Sequence, residues 1–357
     1  MDFRLDPFGS LLIMFGKLTA PTNKLIMKKL ISLFISLAFA GSSFAQMSGY
    51  SSSQSDGTTL GANETLTADG IALGNAVKLR GFVDFRLQRN DHGSGSVATD
   101  NTEAMADLDF LIDLSPVTAE LHLNADDHNQ LEQVFGRYSF NQDFHLTFGK
   151  QVTVLGFDGD EATDLYAVTG AYGGTANKNP GKDYFDGIRL NYNNGMFGFI
   201  LGLHDEYGLH SGTDDNLDNG IAIDLAASVM FMPGLEARLG FVNENGDGSK
   251  DDAQQVNAWL AWNPNDLTLA LELDSFNFAD NTDAWDMMIL AHYQFSDFFG
   301  ATLRYAHSDY EALESDRITL AFLFSITENF DVNLEYSHTD NDGADENEFY
   351  LQALLHY

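Results

Sequence analysis

The residues that could support catalysis or metal binding are few and scattered along the 357-residue chain. The chain has no cysteine, so neither a disulfide nor a thiolate metal site can form. The ten histidines occur singly, without the HxxxH or HExxH spacing that brings two imidazoles to one zinc ion. No GxSxG nucleophile elbow and no phosphate-binding loop is present. The sequence therefore predicts a protein that is not an enzyme and that has no cofactor.

One segment has part of a calcium-loop pattern. In NENGDGSKDDAQ, Asn243, Asn245 and Asp247 stand at the first, third and fifth positions, and Gly248 follows at the sixth. The twelfth position is Gln254, where a calcium loop has a bidentate glutamate. The segment is thus a weak metal candidate, and an ordinary Gly/Asn-rich hairpin loop is favoured.

Charged side chains are the larger group with binding chemistry. The chain has 53 Asp and Glu residues against 18 Lys and Arg residues, a formal net charge of −35. This balance argues against nucleic acid as a partner, because phosphates require cationic side chains. A composition that is 44% hydrophobic and 12% aromatic also argues against wholesale disorder. An acidic folded protein that attracts cations fits these values.

Alternation of apolar and polar residues identifies the elements that must position these charges. In LTLALELDSF, Leu267, Leu269 and Leu271 fall on one face of an extended chain, with Thr268 and Glu272 opposite. The same period of two predicts sixteen strands, near 76–89, 104–114, 117–126, 130–141, 144–153, 183–193, 196–207, 219–231, 235–245, 254–263, 266–277, 284–295, 298–309, 315–326, 330–340 and 346–357.

The connections distinguish a membrane barrel from a soluble β-protein. Every second predicted connection is short, such as SP at 115–116, NG at 194–195 and TEN at 327–329. The intervening connections are mostly longer and polar, such as GDGSKDDA at 246–253. Aromatic residues cluster beside the short turns, where an interfacial girdle belongs. These features favour an all-β, antiparallel, up-and-down transmembrane barrel of about 16 strands, with short periplasmic turns and longer extracellular loops.

The first 75 residues precede this barrel. Residues 27–45, MKKLISLFISLAFAGSSFA, have the basic start, apolar core and small-residue cleavage site of a signal peptide. Residues 1–26 precede this complete signal and therefore indicate a start codon assigned too early, with a long n-region of the signal peptide as the alternative. Residues 46–75 are rich in Ser, Gly and Thr and predict a flexible periplasmic segment, with a plug inside the barrel as the less favoured alternative. The barrel domain is expected at 76–357.

Three stretches, LRGFVDFRLQ at 79–88, the block at 136–166 and DGIRLNYNNGMFGFILGLHDEY at 186–207, resemble the OmpL-like β-barrel porin family of Gram-negative bacteria. The resemblance covers essentially the whole predicted barrel. It implies an outer-membrane porin, in contact with lipid and lipopolysaccharide, that forms a water-filled channel for passive diffusion of small hydrophilic solutes. It leaves a homotrimer open. A structural or adhesive surface barrel is the alternative, and an outer-membrane enzyme is less favoured.

The C-terminus has an apolar alternation that continues to the last residue. A closing strand must pair with the first strand, because open edges are not tolerated in hydrocarbon. The ending also resembles the signal that the outer-membrane assembly machinery recognises. The residues of this predicted assembly signal are Phe349, Leu351, Leu355 and Tyr357.

The longest predicted connection, 154–181, is the third outer loop. In general porins the third loop folds inward, so the resemblance implies that this loop narrows the pore. Its acidic candidates are Asp158, Asp160, Glu161 and Asp164. The basic candidates, which alternation points inward from the first, fourth and sixth strands, are Lys78, Arg80, Arg86, Arg137 and Arg189. Opposed charges across a constriction orient polar solutes, and the acidic excess predicts weak cation selectivity. The alternative is an outward loop, with the arginines paired to acids of neighbouring strands.

Overall fold

The computed structural model describes residues 60–92, 98–125, 130–159, 161–172, 184–209, 221–246, 251–280, 282–310, 313–341 and 344–357. Within them, sixteen long antiparallel strands form one closed barrel, in which each strand pairs with its neighbours in the sequence. This confirms the predicted fold class and the predicted strand number. No helix in the described part of the chain is long and apolar enough to cross a bilayer.

A two-residue strand, β1 (Ile71–Ala72), pairs with the start of the first barrel strand. The barrel strands are β2 (Val77–His92), β3 (Thr99–Leu114), β4 (Val117–Ala125), β5 (Gln130–Ser139), β6 (Phe144–Val152), β7 (Tyr184–Asn193), β8 (Phe197–His204), β9 (Ala222–Met232), β10 (Leu235–Glu244), β11 (Ala253–Trp262), β12 (Leu267–Asn277), β13 (Asp283–Ser296), β14 (Phe299–Tyr310), β15 (Leu313–Thr327), β16 (Phe330–Asn341) and β17 (Ala344–His356).

The barrel closes where β17 pairs with β2, in the register Leu351↔Leu87. Beyond the last strand residue, Tyr357 and Gly81 exchange two backbone hydrogen bonds of 3.0 Å. Gly81 is required at this seam, because a Cβ there would lie 2.1 Å from the backbone oxygen of Asp107 on β3. Each of the sixteen barrel strands, β2 to β17, thus pairs on both sides, and the described barrel has no open edge.

The two faces of the wall have opposite chemistry. On the outer face, Leu269 and Leu320 are 37% and 38% exposed. On the inner face, Glu272 and Thr319 are 0% and 1% exposed. Apolar side chains outside and polar side chains inside are the pattern of a barrel that stands in lipid. The facing that alternation predicts for Leu269 and Glu272 is the one observed.

Several strands are longer than alternation predicts, so two outer connections are shorter. Only two residues, 311–312, separate β14 from β15, and only 342–343 separate β16 from β17. The residues that extend β3 at its start, Thr99 to Glu103, are all polar, and Thr99 pairs with Asn90. Backbone pairing continues beyond the apolar section of the wall, and a pattern that searches for apolar alternation cannot detect that extension.

Candidate functional site

The third outer connection, between β6 and β7, lies inside the barrel over its described residues, 153–159 and 161–172. Phe157 is fully buried, and its ring packs edge-on against Trp259 of β11 at a centroid distance of 5.6 Å. Its backbone N–H donates to Glu272 Oε1 of β12 at 2.8 Å. Both partners belong to the inner face of the wall. We call the described residues 153–159 and 161–172 the inner loop.

A buried ion pair fixes the first part of the inner loop to β14. Arg304 Nη1 lies 3.2 Å from Asp158 Oδ2, and both side chains are fully buried. The same carboxylate oxygen accepts a hydrogen bond from the N–H of Ala171 at 2.9 Å, and Arg304 also donates to the carbonyl of Gly170 at 2.8 Å. Asp158 therefore joins the two ends of the inner loop to each other and to the wall.

A second carboxylate, that of Glu335 on β16, binds the C-terminal part of the inner loop. Glu335 Oε2 accepts the N–H groups of Val168 and Thr169 at 2.7 and 2.9 Å, and its Oε1 accepts the Thr169 hydroxyl at 2.5 Å. Arg317 of β15 lies 3.7 Å from Glu335 and donates to the Thr169 oxygen at 3.3 Å. Charge-assisted hydrogen bonds of this kind are stronger than neutral ones.

The remaining acids of the predicted constriction are placed as follows. Glu161 is 7% exposed, and its carboxylate lies beside those of Asp107 on β3 and Glu132 on β5. The N–H of Asp164, which is half-buried, donates to the Glu161 carbonyl at 3.0 Å and closes a short 3₁₀ turn, Ala162–Asp164. Asp160 lies outside the described residues.

Apolar contacts hold this turn against the closing seam. Ala162 packs with Phe82 of β2 and Leu354 of β17. Leu354 breaks the polar alternation of the inner face of β17, and its contact with the inner loop explains why an apolar residue stands there.

The five basic candidates lie on the wall and contact groups close to them. Lys78 Nζ donates to the carbonyl of Ala68 at 2.6 Å. The arginine pairs with acidic residues of the wall are Arg80 with Asp109 at 2.9 Å, Arg86 with Asp84 at 2.7 Å, Arg137 with Glu120 at 3.3 Å and Arg189 with Asp224 at 2.9 Å. Arg304 and Arg317 contact the inner loop directly, and sequence reasoning did not select them for that role.

Part of the predicted N-terminal segment packs inside the barrel at the end with the short turns. Leu60 is fully buried, and its carbonyl accepts a hydrogen bond from Asn193 of β7 at 2.8 Å. Asn63 and Thr65 accept hydrogen bonds from Arg137 at 2.6 and 3.0 Å. Residues 60–65 of the predicted N-terminal segment thus include three that contact the inner face of the wall. Asn63 and Thr65 belong to a Ser/Gly/Thr-rich segment without apolar alternation. The sequence pattern therefore could not predict their contacts.

A small cavity lies between this N-terminal stretch and the start of the inner loop. Its volume is about 60 Å³, and its lining includes Glu64, Arg137, Gln151, Val154 and Arg189. A polar cavity of this size holds a few water molecules. The lining combines charged and amide side chains, so the space between the two inserted segments is hydrophilic.

The inner face as a whole is acidic. Among the described residues, sixteen buried side chains are Asp or Glu and five are Arg. The inner loop and the N-terminal stretch contact these groups from opposite ends of the barrel. The arrangement can bind water and cations.

The weak calcium-loop candidate is partly described. Asn243 Nδ2 donates to Asn245 Oδ1 at 2.8 Å, and Gln254 Nε2 donates to Asn243 Oδ1 at 2.9 Å. The amide oxygens of this hairpin are therefore used in hydrogen bonds between its own side chains. Asp247 lies outside the described residues.

Comparison with solved structures finds many matches in fold, among them the following three. The anion-selective porin from Comamonas acidovorans has a TM-score of 0.61 at 15% identity, over 79% of this chain and 99% of that chain. OmpF of Salmonella typhi, in complex with daunomycin, has a TM-score of 0.64 at 14% identity, over 80% and 98%. The trimer form of OmpT of Vibrio cholerae has a TM-score of 0.56 at 12% identity, over 79% and 100%. No family model matches the chain, and no curated protein matches it either. At these identities, the likeness establishes a porin-type barrel fold for nearly the full length of those proteins.

Proposed function

We propose that the protein is an outer-membrane porin, a water-filled channel for passive diffusion of small hydrophilic solutes and ions. The observation that supports this most is the inner loop, whose buried Asp158 pairs with Arg304 inside a sixteen-stranded barrel with an apolar outer face. A barrel of this strand number leaves a lumen wider than side chains alone can fill. The inner loop then sets the width of the passage and is the proposed constriction.

The polarity of the inner face supports weak cation selectivity. Sixteen buried acids against five buried arginines, among the described residues, leave an excess of negative charge around the path of a solute. A low-dielectric wall strengthens that field inside the lumen. We therefore propose that cations permeate faster than anions, in contrast to the porin from Comamonas acidovorans, which is described as anion-selective.

The cellular setting follows from the same proposal. We propose that residues 27–45 direct export and are removed, that residues 46–75 form an N-terminal segment, and that residues 76–357 stand in the outer membrane. Lipid and lipopolysaccharide would contact the apolar outer face, and the assembly machinery would recognise the C-terminal residues. Membership of the OmpL-like family and assembly as a homotrimer are parts of this proposal. The second is supported by the trimer form of OmpT, a protein of the same fold.

Reversal potential in a salt gradient tests the proposed selectivity. The wild-type channel should favour the cation, and replacing Asp158, Asp160, Glu161 and Asp164 by their amides should shift the reversal potential toward the anion. Low ionic strength makes the shift largest, because screening is then weakest. The matched control neutralises four exposed acids of the barrel rim: Asp100, Glu103, Glu314 and Asp345. Equal shifts in both variants would show that the inner loop does not line the path.

A further inference from the structure

Three carboxylates from three separate elements meet where the inner loop contacts the wall. Asp107 comes from β3, Glu132 from β5 and Glu161 from the inner loop, and one oxygen of each lies within 4.8 Å of the others. The three side chains are 1%, 8% and 7% exposed. Three like charges at this spacing and burial repel one another strongly unless a cation or protons compensate them.

The central carboxylate points to a ligand of its own. Among the described residues, neither Oδ1 nor Oδ2 of Asp107 has a hydrogen-bond partner, although both atoms are buried. In Glu132, Oε1 accepts a hydrogen bond from Asn124 at 2.8 Å. The buried Oε2 of Glu132 has no hydrogen-bond partner among the described residues. A buried carboxylate oxygen without a donor is costly and in most proteins is bound to something.

The neighbouring charged side chains of the wall contact each other. Asp109, which follows Asp107 on the inner face of β3, accepts two hydrogen bonds from Arg80, at 3.1 and 2.9 Å. Its other oxygen lies 2.9 Å from His122 Nδ1 of β4. Asp107 thus lies beside Glu132 and Glu161, and Asp109 is its further acidic neighbour on β3.

We propose that Asp107, Glu132 and Glu161 bind a calcium ion that fastens the inner loop to the barrel wall. The donor set consists only of carboxylate oxygens, which hard cations prefer. Calcium–oxygen bonds are about 2.3–2.6 Å long, so two ligands of one calcium ion stand up to about 5 Å apart. The ligand atoms of the three residues all lie within 4.8 Å of one another, which is inside that limit. Magnesium needs bonds of about 2.0–2.1 Å and a smaller site.

The site has a structural consequence for the barrel. Glu161 precedes the turn that packs on Phe82 and Leu354. A cation shared with β3 and β5 would attach the inner loop on the side of the barrel opposite to its contacts with Glu272 and Arg304. The metal would therefore act as a further fixed point of the inner loop, whatever solute passes it.

Terbium luminescence and calcium binding test the site on the folded, mature protein in detergent. Tb³⁺ replaces Ca²⁺ at oxygen sites and emits when an aromatic ring close to it is excited. The Tyr357 hydroxyl donates to the backbone oxygen of Asp107 at 3.4 Å, which places a phenol ring next to the site. We expect Tb³⁺ emission that Ca²⁺ displaces, and a weaker signal at unchanged affinity in Tyr357→Phe.

Variants decide the assignment. Asp107→Asn and Glu161→Gln should each weaken calcium binding at this site at least tenfold and lower the measured calcium stoichiometry by one ion. They should also lose the calcium-dependent rise in thermal unfolding temperature, whereas the exposed control Glu103→Gln should keep all three properties. If Asp107→Asn does not fold, Glu161→Gln gives the same test from the loop side. Wild-type protein that binds no calcium, or variants with the wild-type stoichiometry, would overturn the proposal and would leave the channel proposal untouched, because binding is measured without transport.

Discussion

Removing the Glu335 carboxylate should release the inner loop from the barrel wall. In the Glu335→Ala variant, the N–H groups of Val168 and Thr169 lose their acceptor, and Arg317 loses a neighbouring negative charge. Glu335 is 3% exposed, and Val168 is 1% exposed, so bulk water does not reach these donors in the folded position. The substitution therefore destabilises the inward position of the inner loop. It leaves the barrel intact, because the backbone pairs of β16 do not depend on this side chain.

The expected size follows from the two orphaned backbone donors, the N–H groups of Val168 and Thr169. A buried donor left without an acceptor costs about 1–3 kcal/mol, and hydrogen bonds to charged groups are at the upper end of the scale. Two such donors give about 2–6 kcal/mol, and water entering the lumen reduces this toward the lower value. A loss of about 2 kcal/mol shifts the equilibrium between the inward and released positions by roughly 30-fold. Glu335→Gln keeps an acceptor oxygen and should produce a smaller shift.

Single-channel recording in planar bilayers measures this shift directly. Glu335→Ala should show a larger mean conductance and additional conductance levels, with Glu335→Gln intermediate. The control is Glu314→Ala, which removes an exposed acid from β15 and should behave as wild type. The reasoning is refuted if Glu335→Ala folds normally and conducts exactly as the control does.

Three further predictions concern the lipid face, the seam and the N-terminal stretch. Leu320→Arg places a charge on the outer face and should cost about 2–4 kcal/mol in folding titrations into lipid vesicles; wild-type stability would contradict the facing. Deleting 355–357 removes the backbone bonds between Tyr357 and Gly81 and should block assembly, so heat-modifiable barrel in outer-membrane fractions would argue against the closing role. Deleting 46–66 removes the stretch that contacts Arg137 and should raise conductance, whereas an unchanged conductance would mean that the solute does not pass this stretch.

Strand number and facing could be predicted because a period of two maps directly onto the two faces of a wall. Leu269 and Glu272 illustrate this, since their positions in LTLALELDSF alone assign them to lipid and lumen. Strand ends could not be predicted equally well. Where β3 begins, at Thr99, both faces are polar, and only the register with Asn90 shows that the ladder continues.

The site could be predicted only as a region. Length selected the third outer loop, and its acids include Asp158, which is buried in the structure. The partners on the wall are far away in the chain: Phe157 and Glu272 are 115 residues apart, and Val168 and Glu335 are 167 apart. Alternation places such wall residues on the inner face, but the shape of an irregular loop decides which of them it contacts.

The measurement that tests the account most directly is the conductance of the purified, full-length mature protein in a planar lipid bilayer. A barrel whose inner loop narrows the lumen without filling it should insert with discrete current steps that scale with salt concentration, and a salt gradient should give a reversal potential on the cation side. Correctly folded, heat-modifiable protein that inserts and yet passes no ions would contradict the channel, and it would favour the structural or adhesive barrel.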